Sequence, residues 1–195
     1  MSDVQPKTVR ECAARIIDLL DEVGDDVLSK EKELTRAVED LLALANLDTV
    51  VANPAWTATA DNEPTTGWLY NDGDVRIVRG TLTAGYTLAP HNHGSWNLFG
   101  VYRGAVKYTS YRRLDDGSRP YYAELEIAED RIMVDGDVTV LPAPPHDVHG
   151  VIGLAPLTTT VLVARGRFSS VREHYMPEHH CYVNKHGDAT GKAMG

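Results

Sequence analysis

The sequence predicts an all-β core, a β-sandwich or barrel of short strands, preceded by an α-helical extension. Three observations support this reading. From Trp68 onward, β-prone runs recur at short intervals, at 68–70, 75–83, 97–103, 105–112, 121–127, 131–134, 137–141, 148–152 and 158–166. The breaks between runs hold turn-forming residues, Asn71-Asp72-Gly73-Asp74, Asp115-Asp116-Gly117 and Asp135-Gly136-Asp137. Ahead of the runs, residues 8–46 place their apolar side chains at helical spacing.

Taken in order, Val9, Cys12, Ala13, Ile16, Ile17, Leu20 and Val23 line one face of a helix over 8–23, which Gly24 terminates. A second helix begins near Ser29, a candidate N-cap with Glu31 and Glu33 in the first turn, and runs through Leu34, Val38, Leu41, Leu42 and Ala45 to about Asn46. Their apolar faces are expected to pack on the barrel or to form a subunit contact, as in a homodimer. Residues 52–67, rich in Pro, Thr, Asn and Gly, read as a connecting loop anchored by Trp56. The chain thus divides into 1–50, the helical extension, and 51–195, the barrel with its C-terminal tail. The tail holds His174, His179, His180 and His186, but His179 and His180 are adjacent and no pair has ligand spacing. The tail therefore reads as a segment that Tyr175, Met176 and Tyr182 pack against the barrel, with its last residues frayed.

At 195 residues and 43% hydrophobic content, the chain can bury a core without staples. Cys12 and Cys181 lie far apart, and no secretory leader is apparent, so the expectation is two free thiols and a cytoplasmic location. No apolar run reaches the roughly 18–20 residues of a membrane span. With 19 basic against 28 acidic residues the net charge is −9, which argues against nucleic acid or an anionic membrane as partner. Arg76, Arg79, Arg103, Arg112 and Arg113 fall in the presumed strands, so an anionic small molecule remains an eligible substrate.

The most informative segment runs from Gly85 to Gly104 and contains Pro90-His91-Asn92-His93-Gly94-Ser95-Trp96-Asn97. Alternate side chains of a strand share a face, so His91 and His93 present two imidazoles together, with Cα atoms about 6.5–7 Å apart, while Asn92 points away. Two imidazoles so placed can chelate one metal ion. The spacing G-x5-H-x-H-x3-N-x6-G resembles the first metal motif of the cupins, which usually has Glu where this chain has Asn97. The resemblance covers about Val75 to Arg167. It implies a double-stranded β-helix, a jelly-roll-like barrel. Within that superfamily, His91 to Trp96 followed by Gly100-Val101-Tyr102-Arg103-Gly104 is most similar to the cysteine-dioxygenase-type enzymes, which use three histidines and no carboxylate.

A second cupin motif begins well at Gly136-Asp137-Val138-Thr139-Val140-Leu141-Pro142. It ends ambiguously, because Pro144 stands where Gly is expected and the spacing fits neither His146 nor His149 perfectly. His149 is favoured as the third ligand, since Val148-His149-Gly150-Val151 is β-prone whereas His146 follows two prolines. The His-x-Val pattern of thiol dioxygenases points the same way, and His146 stays as the alternative.

Three neutral imidazoles leave the charge of a divalent ion uncompensated, which favours an anionic substrate bound at open coordination positions. The expected cofactor is Fe(II), with Zn or another divalent metal as competitor. The expected activity is that of a non-haem iron dioxygenase oxidising a small thiol or related anion with O2. A lyase, isomerase or hydrolase that does not use O2, and a non-catalytic ligand-binding protein, are the alternatives. Two family features are missing: Trp96-Asn97-Leu98-Phe99 holds no cysteine for a Cys–Tyr cross-link, and Leu162-Val163-Ala164-Arg165-Gly166 replaces the Ser-x-His-x-Tyr triad. Tyr70, Trp96 and Tyr102, with Tyr108, are the candidates to supply a catalytic donor. At most one of Arg76 and Arg79 faces inward, and Arg103, beside the turn at Gly104, is expected to be solvated.

Overall fold

Two helices lead the chain in the computed structural model, which describes residues 8–24, 26–45, 47, 65–165 and 171–186. Helix α1 spans Val9–Val23 and α2 spans Glu31–Leu42, with a 3-10 turn at Val27–Lys30 between them. Thr8 caps α1, its hydroxyl oxygen accepting a hydrogen bond from Glu11 N at 3.2 Å. Ser29, expected to cap α2, lies within the 3-10 turn and donates to Asp26 O at 2.7 Å. Helix α2 therefore starts one residue later than a Ser29 cap implies, with Glu31 and Glu33 in its first turn, where the helix dipole favours acids. Asn46, Trp56 and the loop before residue 65 lie outside the described residues.

Eleven strands follow among the described residues: β1 (Thr65–Asn71), β2 (Val75–Leu82), β3 (Thr87–His91), β4 (Asn97–Arg103), β5 (Ala105–Arg113), β6 (Leu125–Val134), β7 (Val138–Leu141), β8 (Val148–Gly153), β9 (Thr158–Arg165), β10 (Val171–Met176) and β11 (Cys181–His186). They form two antiparallel sheets, ordered β1-β2-β9-β4-β7 and β11-β10-β3-β8-β5-β6. Strands β2 to β9 make the jelly-roll pattern, 2-9-4-7 facing 3-8-5-6, which is the double-stranded β-helix that the sequence predicts.

Three elements differ from the sequence reading. The runs 121–127 and 131–134 are replaced by the single strand β6. A bulge opposite Ser110 and Tyr111 absorbs one extra residue, so the ladder passes unbroken through the charged stretch Glu129-Asp130-Arg131. Strand β3 ends at His91, so His93 lies beyond it rather than on the same strand face as alternation predicts, and the pairing of β3 with β8 shifts register between Leu88 and His91, around Pro90. The tail is a β-hairpin, β10–β11, whose first strand joins β3.

The helices and one sheet share a core. Cys12, Ile16, Leu20, Leu34, Val38 and Leu41 pack with Leu98, Tyr102, Val161 and Val163, all buried. A second cluster, including Phe99, Val101, Tyr108, Met133 and Val151, fills the barrel interior. Strand β4 is buried on both faces, with Leu98 and Tyr102 toward the helices and Phe99 and Val101 inside. Gly100 sits on the helix side, where a Cβ would come within 2.9 Å of Leu42 Cδ1, so its lack of a side chain leaves room for that leucine of α2. Arg165 ties the layers together, donating to Asp21, Asp74 and the carbonyl of Leu20. Both cysteines are free, and burial pushes the Cys12 thiol up to about 11, leaving it a protonated core residue. No helix among the described residues is long and apolar enough to cross a membrane.

Because the helices and the barrel share buried side chains, Leu41→Ala should cost about 2–5 kcal/mol. Urea denaturation should show this as a lower midpoint of one transition; a separate early transition for the helices would contradict the shared core.

Candidate metal centre

Strand register builds the site. His91 ends β3 and is the register partner of His149 on β8, so the two side chains leave neighbouring strands on the same, inner face. His93 enters from the turn that follows. The ring centroids lie 4.8 Å (His91–His93), 5.0 Å (His91–His149) and 4.9 Å (His93–His149) apart. The three possible ligand atoms fall within 4.8 Å of one another, and each residue is 2–3% exposed.

The tautomer is set at one ring: His91 Nδ1–H donates to Ala89 O at 2.9 Å, which leaves its Nε2 lone pair facing the centre. His93 Nε2 and His149 Nε2 stand 3.0 Å apart, close enough to share one proton in the metal-free protein. All three imidazoles are held neutral at physiological pH, His149 with a pKa pushed down to about 3 and His91 and His93 well below the usual value. Burial is the main cause, and the positive charge of Arg172 adds to it at each ring. Neutral imidazole is the metal-binding form. Three such donors converging on one point, with one tautomer fixed by a backbone carbonyl, fit a divalent transition metal.

Residues that the sequence reading passed over hold this arrangement. Asp147, buried between His146 and His149, accepts hydrogen bonds from His93 N at 3.0 Å and Gly94 N at 2.7 Å. It thereby pins the turn that carries His93, with Gly94 at φ 76°. Asn92 points away from the two histidines that flank it and clasps β10: Asn92 Nδ2 donates to Glu173 at 3.0 Å and Glu173 N donates to Asn92 Oδ1 at 3.0 Å. That clasp places His174 opposite His91, with the rings stacked at 5.6 Å. Arg172, two residues earlier on the same strand, shares the inner face. The tail thus supplies a cation to the site. Val171 to Met176 shows no apolar–polar alternation, so the sequence carried little signal of this strand.

The expected donors are distributed differently. Trp96 and Tyr102 lie in the helix-facing cluster, and the Tyr102 hydroxyl accepts a hydrogen bond from Leu47 N at 3.3 Å. Tyr70 donates to Asp72 at 3.1 Å in an exposed turn. Strand alternation explains the placement of Tyr102, because Phe99 and Val101 occupy the inner positions of β4. Tyr108 is the tyrosine beside the histidines, its ring 5.4 Å from that of His149 and its hydroxyl buried. His146 is not in the cluster; its backbone N donates to Ala143 O at 3.2 Å in the turn before β8. Among the arginines, Arg76 lies over the Trp68 ring, Arg79 donates to Leu47 O, Arg112 pairs with Glu126, Arg113 pairs with Asp115, and Arg103 is exposed.

No protein-family model matches the chain, and no curated protein is significantly similar to it. Among solved structures it is similar to a cupin superfamily protein from Desulfitobacterium hafniense DCB-2, at 15% identity and TM-score 0.44, over 63% of this chain and 90% of that one. It is similar to KdgF from Halomonas sp. at 19% identity and TM-score 0.44, over 60% and 92% of the two chains. A recombinant oxalate oxidase in complex with glycolate aligns at 18% identity and TM-score 0.43, over 55% and 53%. The assignment of the barrel rests on its strand order.

The depressed histidine pKa values make the metal-free protein acid-sensitive. Between the folded values and about 6.5 the unfolded chain binds more protons than the folded one, so this contribution is complete above about pH 6.5 and is lost as pH falls. Urea midpoints of the metal-free protein should therefore drop between pH 7.5 and 5.5; a flat profile would show that the trio is not buried in neutral form. Asp147→Ala should leave the amide N–H groups of His93, which is buried, and of Gly94 without their acceptor and lower divalent-metal affinity about 10- to 100-fold, read by competition with a chromophoric chelator. Unchanged affinity would reduce Asp147 to a folding residue.

Proposed function

We propose that the protein is a non-haem Fe(II) oxygenase of the cupin type that oxidises a small anionic thiol with O2, with His91, His93 and His149 as the metal ligands. The observation that supports this is, among the described residues, an all-imidazole donor set without a carboxylate, with Arg172 on the same inner face. Three neutral ligands and a guanidinium make the centre strongly positive once a divalent ion is held, so it favours a ligand that brings its own negative charge. Iron bound there would supply the one-electron chemistry that couples O2 to a coordinated thiolate.

The protein's own residues supply the rest. Arg172 is the group to fork onto a substrate carboxylate, which would fix the distance from that carboxylate to the thiol. Tyr108 and Phe99, stacked at 5.5 Å and both within 5.7 Å of the His149 ring, form an apolar wall that excludes water from the reacting end. Asp147 holds the His93 turn, and the Asn92–Glu173 clasp holds Arg172 in place.

Oxygen consumption by anaerobically Fe(II)-loaded protein tests the reading over cysteine, 3-mercaptopropionate and cysteamine. Uptake is expected with a carboxylate-bearing thiol and should vanish in His91→Ala. Arg172→Met should raise KM for that thiol about 10- to 100-fold, the loss of one charge-assisted pair, and leave cysteamine unaffected. No uptake by protein shown to hold iron would overturn the oxygenase assignment and favour Lewis-acid chemistry at a zinc-loaded site.

A further inference from the structure

The least explained group in the barrel is the side chain of Asn97. It is 0% exposed, and neither Nδ2 nor Oδ1 has a hydrogen-bond partner among the described residues. Its neighbours in register are Leu141 on β7 and Ala164 on β9, which offer no polar side chain. Alternation along β4 places Asn97 on the same inner face as Phe99, whose ring meets that of His149 edge-on at 5.7 Å. The carboxamide therefore projects from the opposite sheet into the space that the three histidines face.

A buried amide that the fold leaves unsatisfied is a net cost, and a leucine of similar volume would avoid it. The described residues alone do not account for Asn97, since none of them offers its amide a partner. Coordination to a metal would use only Oδ1, because the amide nitrogen has no lone pair to give, and would leave Nδ2 as exposed to the same cost as before. A small molecule that offers both an acceptor and a donor satisfies both ends.

We infer that Asn97 contacts the bound small molecule and sets its specificity: Nδ2 donates to an anionic or carbonyl oxygen of the ligand, and Oδ1 accepts from an N–H or O–H of the same ligand. This rests on the metal-centre reading above and adds a requirement that charge alone does not impose. Arg172 and the metal select for negative charge, whereas Asn97 selects for a hydrogen-bond donor on the same molecule. An acid that carries only acceptors leaves Oδ1 unmet and binds less well.

The test separates ligand contact from metal ligation and from folding, using Zn(II)-loaded protein, in which no turnover with O2 complicates binding. Calorimetry would measure cysteine, which carries an ammonium donor, and 3-mercaptopropionate, which lacks one, against wild type and Asn97→Leu. The variant is expected to keep its Zn(II) affinity within about threefold, to keep or raise its urea midpoint, and to bind cysteine at least tenfold more weakly while its affinity for 3-mercaptopropionate changes less. A tenfold loss of Zn(II) affinity would make Asn97 a metal ligand and overturn the inference, and a lowered urea midpoint would make it a folding residue. Equal cysteine binding by both proteins, or binding of neither probe by zinc-loaded wild type, would also overturn it while leaving the metal centre standing. Failure of wild type to hold any divalent metal would remove the metal centre, and this inference with it.

Discussion

The pairing of His91 with His149 across β3 and β8 is the constraint on which the site depends. Side chains alternate with a period of two, so a slip of one residue in this ladder would turn one imidazole out of the barrel and dissolve the cluster. The ladder is irregular just where it matters, shifting register between Leu88 and His91 around Pro90, which has no N–H to give. Gly150 faces this irregularity: a Cβ there would lie 3.3 Å from Pro90 N and 3.4 Å from Leu88 O. A proline that cannot continue the ladder and a glycine that leaves room for it together hold the two histidines in register.

Around that pair the structure spends polar groups to hold position. Asp147 is a buried carboxylate whose desolvation raises its pKa, and the two backbone N–H groups that it accepts offset part of that cost. Its effect is to fix the only one of the three histidines that does not sit on a strand. The Asn92–Glu173 clasp holds the tail in the same way, with Tyr175 donating to the same Glu173 oxygen as Asn92. The electrostatic outcome is a set of neutral donors beside a cation, poised for a charged ligand.

The helices contribute at a distance. They cover the outer face of the sheet that contains β4, so this strand is buried on both sides and its inner residues, Asn97 and Phe99, have little freedom. Gly100 lets α2 approach, and Arg165 locks α1 to the adjacent turn. A rigid β4 keeps the wall opposite the histidines at a fixed distance, as a site that selects ligands by hydrogen bonding requires.

Much of this was legible in the sequence. Strand and helix periodicities, turn glycines and the close spacing of His91 and His93 are local properties, decided by residues within a few positions of one another, although His93 lies beyond the end of β3 and is brought beside His91 by Asp147 rather than by strand alternation. They sufficed to predict a barrel with a helical preface and a histidine-based centre. Whether His146 or His149 joins the cluster, that Tyr102 turns toward the helices, and that the tail brings Arg172 to the site were decided by the tertiary structure. Each depends on which distant strand a segment pairs with and in which register, as His149 does through β3 and Arg172 does through the clasp on Asn92. Pattern within a segment sets which residues share a face; only the packing of whole sheets sets what that face meets.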